Sequence, residues 1–197
     1  MPCWGDRRNA RVGLLGGSFN PAHDGHLHVA EFALRRLRLD QVWLMVSPGN
    51  PLKPQRGMAS LAERLASARR IADGRRVVAT AVERRFHTTY TVDTLRLLHR
   101  RFPNTRFVWL MGADNLVQLP RWREWMAIAR HTRFAVMPRP TYNHRALSGM
   151  ASQRLRSSRI LERSAPALVG LAAPAWVFLT ASQNSQSATA IRARSQE

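Results

Sequence analysis

Apolar residues along this chain fall into short dense runs, and between the runs they recur at helical spacing. The first run, RVGLL at 11–15, ends in Gly16-Gly17 and predicts a strand entering a turn. Leu27, Ala30, Phe32, Ala33, Leu34 and Leu37 then repeat every three or four positions, which predicts a helix from about Gly25. The alternation continues with a strand over Gln41–Val46, closed by Ser47-Pro48-Gly49-Asn50-Pro51, and a helix over Leu61–Ile71. A strand at 76–82 and a helix at 92–98, ended by Pro103-Asn104, come next. The last predicted elements are a strand at 106–111 before Gly112, helical periodicity over 116–128 interrupted by Pro120, and strands at Arg133–Met137 and 176–179.

Strands that are apolar throughout, each followed by a helix, predict an α/β fold with a Rossmann-like, doubly wound parallel sheet covered on both faces. Such sheets bind ligands at the carboxyl ends of their strands, where the glycines and prolines of this chain cluster. A chain of 197 residues reads as a single domain over 1–197. Within it, 1–10 is expected to be a flexible N-terminus. The segment 141–175, polar and Arg-rich and then rich in Ala and Pro, is expected to be a mobile connection.

Composition narrows the class. The net charge is +19, and all but one of the 31 basic residues are arginine, Lys53 being the exception. Such a balance admits a nucleic-acid partner. The arginines are scattered, however, in pairs such as Arg35-Arg36 and Arg100-Arg101, with no block of five, which favours a solvated surface that attracts small polyanions. A hydrophobic content of 45% excludes wholesale disorder. One cysteine, Cys3, excludes an internal disulfide and a Cys-cluster metal site, and fits a reducing cytoplasm. No secretory signal is visible. The longest uncharged stretch, 164–191, is broken by Pro166, Gly170 and Pro174, so it is not the run of about 20 apolar residues a membrane helix needs. The expectation is a soluble cytoplasmic protein.

The chemistry concentrates in Gly16-Gly17-Ser18-Phe19-Asn20-Pro21-Ala22-His23-Asp24-Gly25-His26, between the first strand and the first helix. Glycines let the backbone approach a ligand, and the start of the helix favours an anion. His23 and His26 are three apart, so both can face one site at the helix start; the plainer alternative is that they cap the helix.

This turn resembles the signature of the nucleotidyltransferase superfamily, which transfers a nucleoside monophosphate from a triphosphate. Further segments are similar to the bacterial nicotinate-nucleotide adenylyltransferases: Thr89-Tyr90-Thr91-Val92-Asp93-Thr94-Leu95, Gly112-Ala113-Asp114 followed by Trp122 and Trp125, and Arg139-Pro140. Ser187-Ala188-Thr189-Ala190-Ile191-Arg192 resembles the superfamily's second signature, at a helix start. The match covers nearly the whole chain, in order. Two departures stand out. Gln186 occupies a usually aliphatic position, and only five residues follow Arg192, which predicts a less buttressed C-terminal end of the site.

The resemblance implies the nucleotidyltransferase fold and a reaction of ATP with nicotinate mononucleotide that gives deamido-NAD and pyrophosphate, in NAD synthesis. A phosphate monoester, with a second pKa of about 6, is already mostly ionised near neutrality. No general base or covalent nucleophile is then required, and catalysis reduces to positioning and charge neutralisation. By resemblance, His23 and His26 grip the phosphates, with His26 nearest the reacting centre, and Arg192 holds the outer phosphates. Lys53, in the loop after the second strand, is a candidate mobile cation or a solvated lysine. Gly16, Gly17, Ser18, Phe19, Gly112, Ser187 and Thr189 surround ATP, and Asp114 accepts ribose hydroxyls or caps its helix. Asn20, Thr91 and Trp122 meet the nicotinate nucleotide, with Trp122 stacking on the pyridine ring and Trp125 mostly in the core. Trp122 and Trp125, spaced by three, are expected to share a helix face. No metal-ligand cluster is visible, so Mg²⁺ would be held mainly by the phosphates. The alternatives are a nicotinamide-mononucleotide or pantetheine-phosphate adenylyltransferase and, from a different class, a basic nucleic-acid-binding module. The oligomeric state is not legible.

Overall fold

The computed structural model describes residues 9–49 and 57–180. Its first half runs β1 (Ala10–Gly17), α1 (Asp24–Arg36), β2 (Gln41–Val46), α2 (Leu61–Ile71), β3 (Val77–Thr80), α3 (Val82–Phe86) and α4 (Thr91–Arg101). The second half runs β4 (Thr105–Gly112), α5 (Ala113–Gln118), a 3₁₀ turn (Leu119–Arg121), α6 (Trp125–His131) and β5 (Arg133–Met137). It continues through α7 (Asn143–Ser148), α8 (Met150–Arg154), a 3₁₀ turn (Arg156–Ser158), β6 (Arg159–Ile160), a longer 3₁₀ segment (Glu162–Gly170) and β7 (Trp176–Phe178).

The strands form one sheet in the order β3-β2-β1-β4-β5-β7-β6, and every pair is parallel. Right-handed crossovers decide which face each connection covers. From β1 to β3 the chain steps one way across the sheet, and α1 and α2 pack their Ala30, Ala33 and Ala68 on one face. From β3 it crosses back to the far side of β1, and α3 to α8 cover the opposite face with Val82, Leu95, Leu116, Ile128, Ala146 and Ala151. The step from β6 back to β7 reverses direction again, so the 3₁₀ segment Glu162–Gly170 returns Leu168 and Val169 to the first face. Alternate strand residues feed the two cores. Trp43, Met45, Phe107 and Trp109 go to one, Val42, Leu44, Val108 and Leu110 to the other. This is why the strands read as unbroken apolar runs.

The structure corrects four expectations. Gly16 and Gly17 belong to β1 rather than to the turn, because they still pair with Met45 and Val46 of β2. The strand expected at 76–82 ends at Thr80, and Val82 opens α3, which buries Val82 and Glu83. A five-residue helix is too short to show periodicity. The helix expected at 116–128 is split: Pro120 lies in a 3₁₀ turn over Leu119–Arg121, and Glu124, at φ +50°, caps the start of a new helix, α6. The segment 141–175, expected as a mobile connection, carries α7, α8, β6 and a 3₁₀ segment with Ala146, Ala151, Leu155, Ala165 and Leu168 buried. Its short helices bury small alanines, which a hydrophobic count undervalues. Of the expected flexible 1–10, only Asn9 and Ala10 are described, and Ala10 pairs with Thr105.

Candidate active site

The strand order reverses between β1 and β4, so the crevice of the sheet opens above Gly17 and Gly112. The first group there is the turn before α1. His23 is the N-cap of α1, and its Nδ1 accepts the Gly25 N–H at 3.2 Å. His26 Nδ1 accepts the His23 N–H at 3.2 Å, closing a reciprocal capping box. The rings lie 3.9 Å apart, and the buried Phe19 ring lies 4.8 Å from His26. Capping and chemistry therefore coexist. A ring nitrogen that accepts is unprotonated, so each neutral imidazole carries its hydrogen on Nε2. Burial, the His23 ring and then Arg139 push His26 down to about 3. Burial, then Arg139, lowers His23 as well. Both rings are neutral at pH 7 and offer Nε2–H donors rather than charges.

The second group stands at the ends of β4 and β5. Asp114 lies in the first turn of α5, whose N-cap is Gly112, and it makes no capping bond. Its Oδ1 is buried without a hydrogen-bond partner and lies 3.7 Å from Arg139 Nε, an ion-pair distance. Arg139 thus faces both the carboxylate and the imidazole pair. The sequence marked it only as part of Arg139-Pro140.

Beside these groups lies a cleft of about 170 Å³. That is below the roughly 300–1,000 Å³ of pockets for drug-sized ligands, and it suits one ring with its substituent. Gly16, Gly17, Ser18, Thr91 and Trp122, all expected at the site, line it. Trp122 is braced edge-on by Trp109 at 6.1 Å. A Cβ on Gly16 would lie 3.0 Å from the Trp109 ring, so any larger residue there would have to displace that ring. At the start of α4 no side chain caps the helix at Tyr90, whose carbonyl accepts the Asp93 N–H at 3.1 Å, so the N–H groups of Thr91 and Val92 are left without a side-chain acceptor, and Tyr90 and Thr91 line the cleft. Arg123 lies over the Tyr90 ring at 4.8 Å and 3.8 Å from Asp93 Oδ2. Trp125 is partly buried against the core and opens α6, so it does not share a helix face with Trp122 as expected.

Glu83 is an unexpected lining residue, 8% exposed. Burial pushes its carboxyl up to about 7, against the pull of a hydrogen bond to Ser47. The single Ser47 hydroxyl hydrogen is also claimed by the Gly49 carbonyl at 2.7 Å. No sequence spacing announces Glu83, because α3 is short. Asn20, expected to meet the acceptor, braces the turn: its Nδ2 donates to Gly57 O at 3.1 Å and its Oδ1 accepts Ala59 N–H at 3.2 Å. Lys53, Ser187, Thr189 and Arg192 lie outside the described residues.

A parallel sheet whose switch point carries two neutral imidazole donors beside a ring-sized cleft has the features of a nucleotidyl-transferring α/β protein. The chain belongs to the cytidylyltransferase-like family, whose profile matches residues 14–194, and within it to the nicotinate-nucleotide adenylyltransferases. It is 60% identical over 193 residues to the "Probable nicotinate-nucleotide adenylyltransferase" of Gluconacetobacter diazotrophicus, covering 98% of this chain and 90% of that one. It is 53% identical over 184 residues to the protein of the same name from Parvibaculum lavamentivorans, covering 93% and 92%. Among solved structures, the nicotinic acid mononucleotide adenylyltransferase of Plasmodium falciparum complexed with NaAD has the same fold. That match has a TM-score of 0.69 at 16% identity and covers 93% of this chain and 83% of that one. No helix among the described residues is long and apolar enough to cross a membrane.

Proposed function

We propose that the protein transfers the adenylyl group of ATP to nicotinate mononucleotide, giving deamido-NAD and pyrophosphate, as a cytoplasmic step of NAD synthesis. A phosphate oxygen of the acceptor forms a bond to the α-phosphorus, the bond to the bridging oxygen breaks, and pyrophosphate leaves with its electrons. The observation that carries the reading is the pairing of two Nε2–H imidazoles with an adjacent ring-sized cleft walled by Trp122 and Thr91. His26 donates to the α-phosphate oxygens, where charge is redistributed as the bonds exchange, and His23 supports it. The Gly16-Gly17 backbone leaves room for the phosphates. Asp114, with an unused acceptor oxygen, suits ribose hydroxyls. Trp122 holds the pyridine ring, and the uncapped start of α4 with the Thr91 hydroxyl takes its carboxylate. Lys53, Ser187, Thr189 and Arg192 would complete the triphosphate grip. Mg²⁺ bound to the triphosphate would neutralise the leaving pyrophosphate. Mg²⁺ prefers oxygen ligands, so its fit here is to the phosphates rather than to the imidazoles.

Pyrophosphate release is measured with ATP and, in turn, nicotinate mononucleotide, nicotinamide mononucleotide and pantetheine phosphate. The nicotinate nucleotide should give the highest kcat/KM. Release with none of the three, together with salt-steep polynucleotide binding, would replace the proposal with the nucleic-acid reading.

A further inference from the structure

Arg64, in the first turn of α2, is 2% exposed, and among the described residues it makes no ion pair. Backbone carbonyls surround it instead. Its Nε donates to Ala59 O at 2.9 Å, Nη1 to Ser18 O at 2.8 Å and to Ser47 O at 2.6 Å, and Nη2 to Pro48 O at 3.2 Å. Burying a cation without a carboxylate is costly, and the carbonyl dipoles offset only part of that cost. The four oxygens come from places that matter to the site. Ser18 lies in the turn before α1. Ser47 and Pro48 follow β2, and Ala59 lies just before α2, so they bracket the segment that contains Lys53. Ser67, three residues further along α2, accepts the Ala22 N–H of the same turn at 3.0 Å.

Geometry extends this bracing into electrostatics. In a trans peptide the next N–H points opposite to the carbonyl, and the Ser18–Phe19 and Pro48–Gly49 peptides are trans. With the carbonyls of Ser18 and Pro48 held on Arg64, the N–H groups of Phe19 and Gly49 point away from it. Ser18 and Gly49 both line the cleft. A positive charge that no carboxylate among the described residues pairs therefore stands behind two peptide dipoles whose positive ends are turned away from it, at residues that border the cleft.

We propose that Arg64 is a positioning residue for adenylyl transfer: it locks the turn before α1 to both ends of the Lys53 segment and backs their amide donors with a buried positive charge. This rests on the adenylyltransferase reading above.

The test compares wild type with Arg64→Ala and Arg64→Lys in the pyrophosphate assay, with folding followed by circular dichroism and melting temperature. In Arg64→Ala, kcat should fall by about 10²–10³, as on removal of a preorganised donor, with a smaller change in KM for the acceptor. Millimolar guanidinium should restore part of that kcat, and urea, planar but neutral, should not. Arg64→Lys keeps the charge but cannot span four carbonyls, so its kcat should fall at least about tenfold. A folded Arg64→Ala enzyme with the kcat of wild type overturns the proposal, as does restoration by urea equal to that by guanidinium. If the alanine variant does not fold, the lysine variant decides: reduced kcat in a folded protein supports the proposal, and wild-type kcat overturns it. Wild-type silence with nicotinate mononucleotide sinks the functional reading instead, and the variants are then compared with whichever acceptor is active.

Discussion

His26 uses its two ring nitrogens for two purposes. Nδ1 closes the capping box, and Nε2–H is left for the ligand. Replacing it with alanine removes both, but the capping loss is worth only about 1 kcal/mol. The larger effect should fall on rate. His26→Ala should lower kcat by about 10²–10³ while ATP binding weakens far less, because the donor meets charge that shifts in the transition state. Steady-state kinetics beside ATP titration checks this; a loss within a few-fold would remove His26 from the chemistry. The histidines were legible in the sequence because their partners are local, within three residues. Glu83 and Arg64 were not. Their importance comes from burial against β2 and from carbonyls up to 46 positions away, and a single Glu or Arg carries no periodic mark.

At the scale of elements, the proposed selector of the acceptor is the start of α4. Its N-cap, Tyr90, offers no side-chain acceptor, and with the Asp93 N–H on the Tyr90 carbonyl the N–H groups of Thr91 and Val92 remain as donors, while Arg96 and Arg123 pair the Asp93 carboxylate of the same turn. A carboxylate accepts from such a nest, whereas the amide of nicotinamide presses its own hydrogens against it. The wild type should therefore prefer the nicotinate nucleotide by on the order of 10²–10³ in kcat/KM, and Thr91→Ala should narrow that ratio. Equal efficiency in wild type would mean dual specificity; an unchanged ratio in the variant would leave the backbone alone as the selector. The break between α5 and α6 serves the same site. A continuous helix would have put Trp122 and Trp125 on one face. The 3₁₀ turn at Pro120 frees Trp122 to line the cleft while Trp125 packs inward.

For the whole molecule, buried titrating groups make stability depend on pH from both sides. The folded Glu83 carboxyl, at about 7 against an ordinary 4.5, holds its proton more tightly than the unfolded chain does. Its contribution is full below about 4.5 and is lost as pH rises to about 7. His23 and His26, both lowered, act oppositely: their contribution is full above the ordinary 6.5 and is lost as pH falls, for His26 down to about 3. In Glu83→Gln the first loss is abolished. The melting temperature of the variant relative to wild type should rise as pH goes from about 4.5 to about 7, then level off. A difference independent of pH would show that Glu83 ionises normally. Such coupling is invisible to composition. Local spacing was enough for the alternation of strands and helices, the parallel class of the sheet and the histidine turn, because each depends on neighbours within a turn or on apolar runs. It was not enough for the strand order β3-β2-β1-β4-β5-β7-β6 or for the small helices of 141–175, which depend on which face each crossover must cover. Nor could it bring Arg139, Glu83 and Arg64 to one end of the sheet. Only the closing of the sheet sets those side chains, far apart in the chain, around one low-dielectric crevice, where a charge gains its effect.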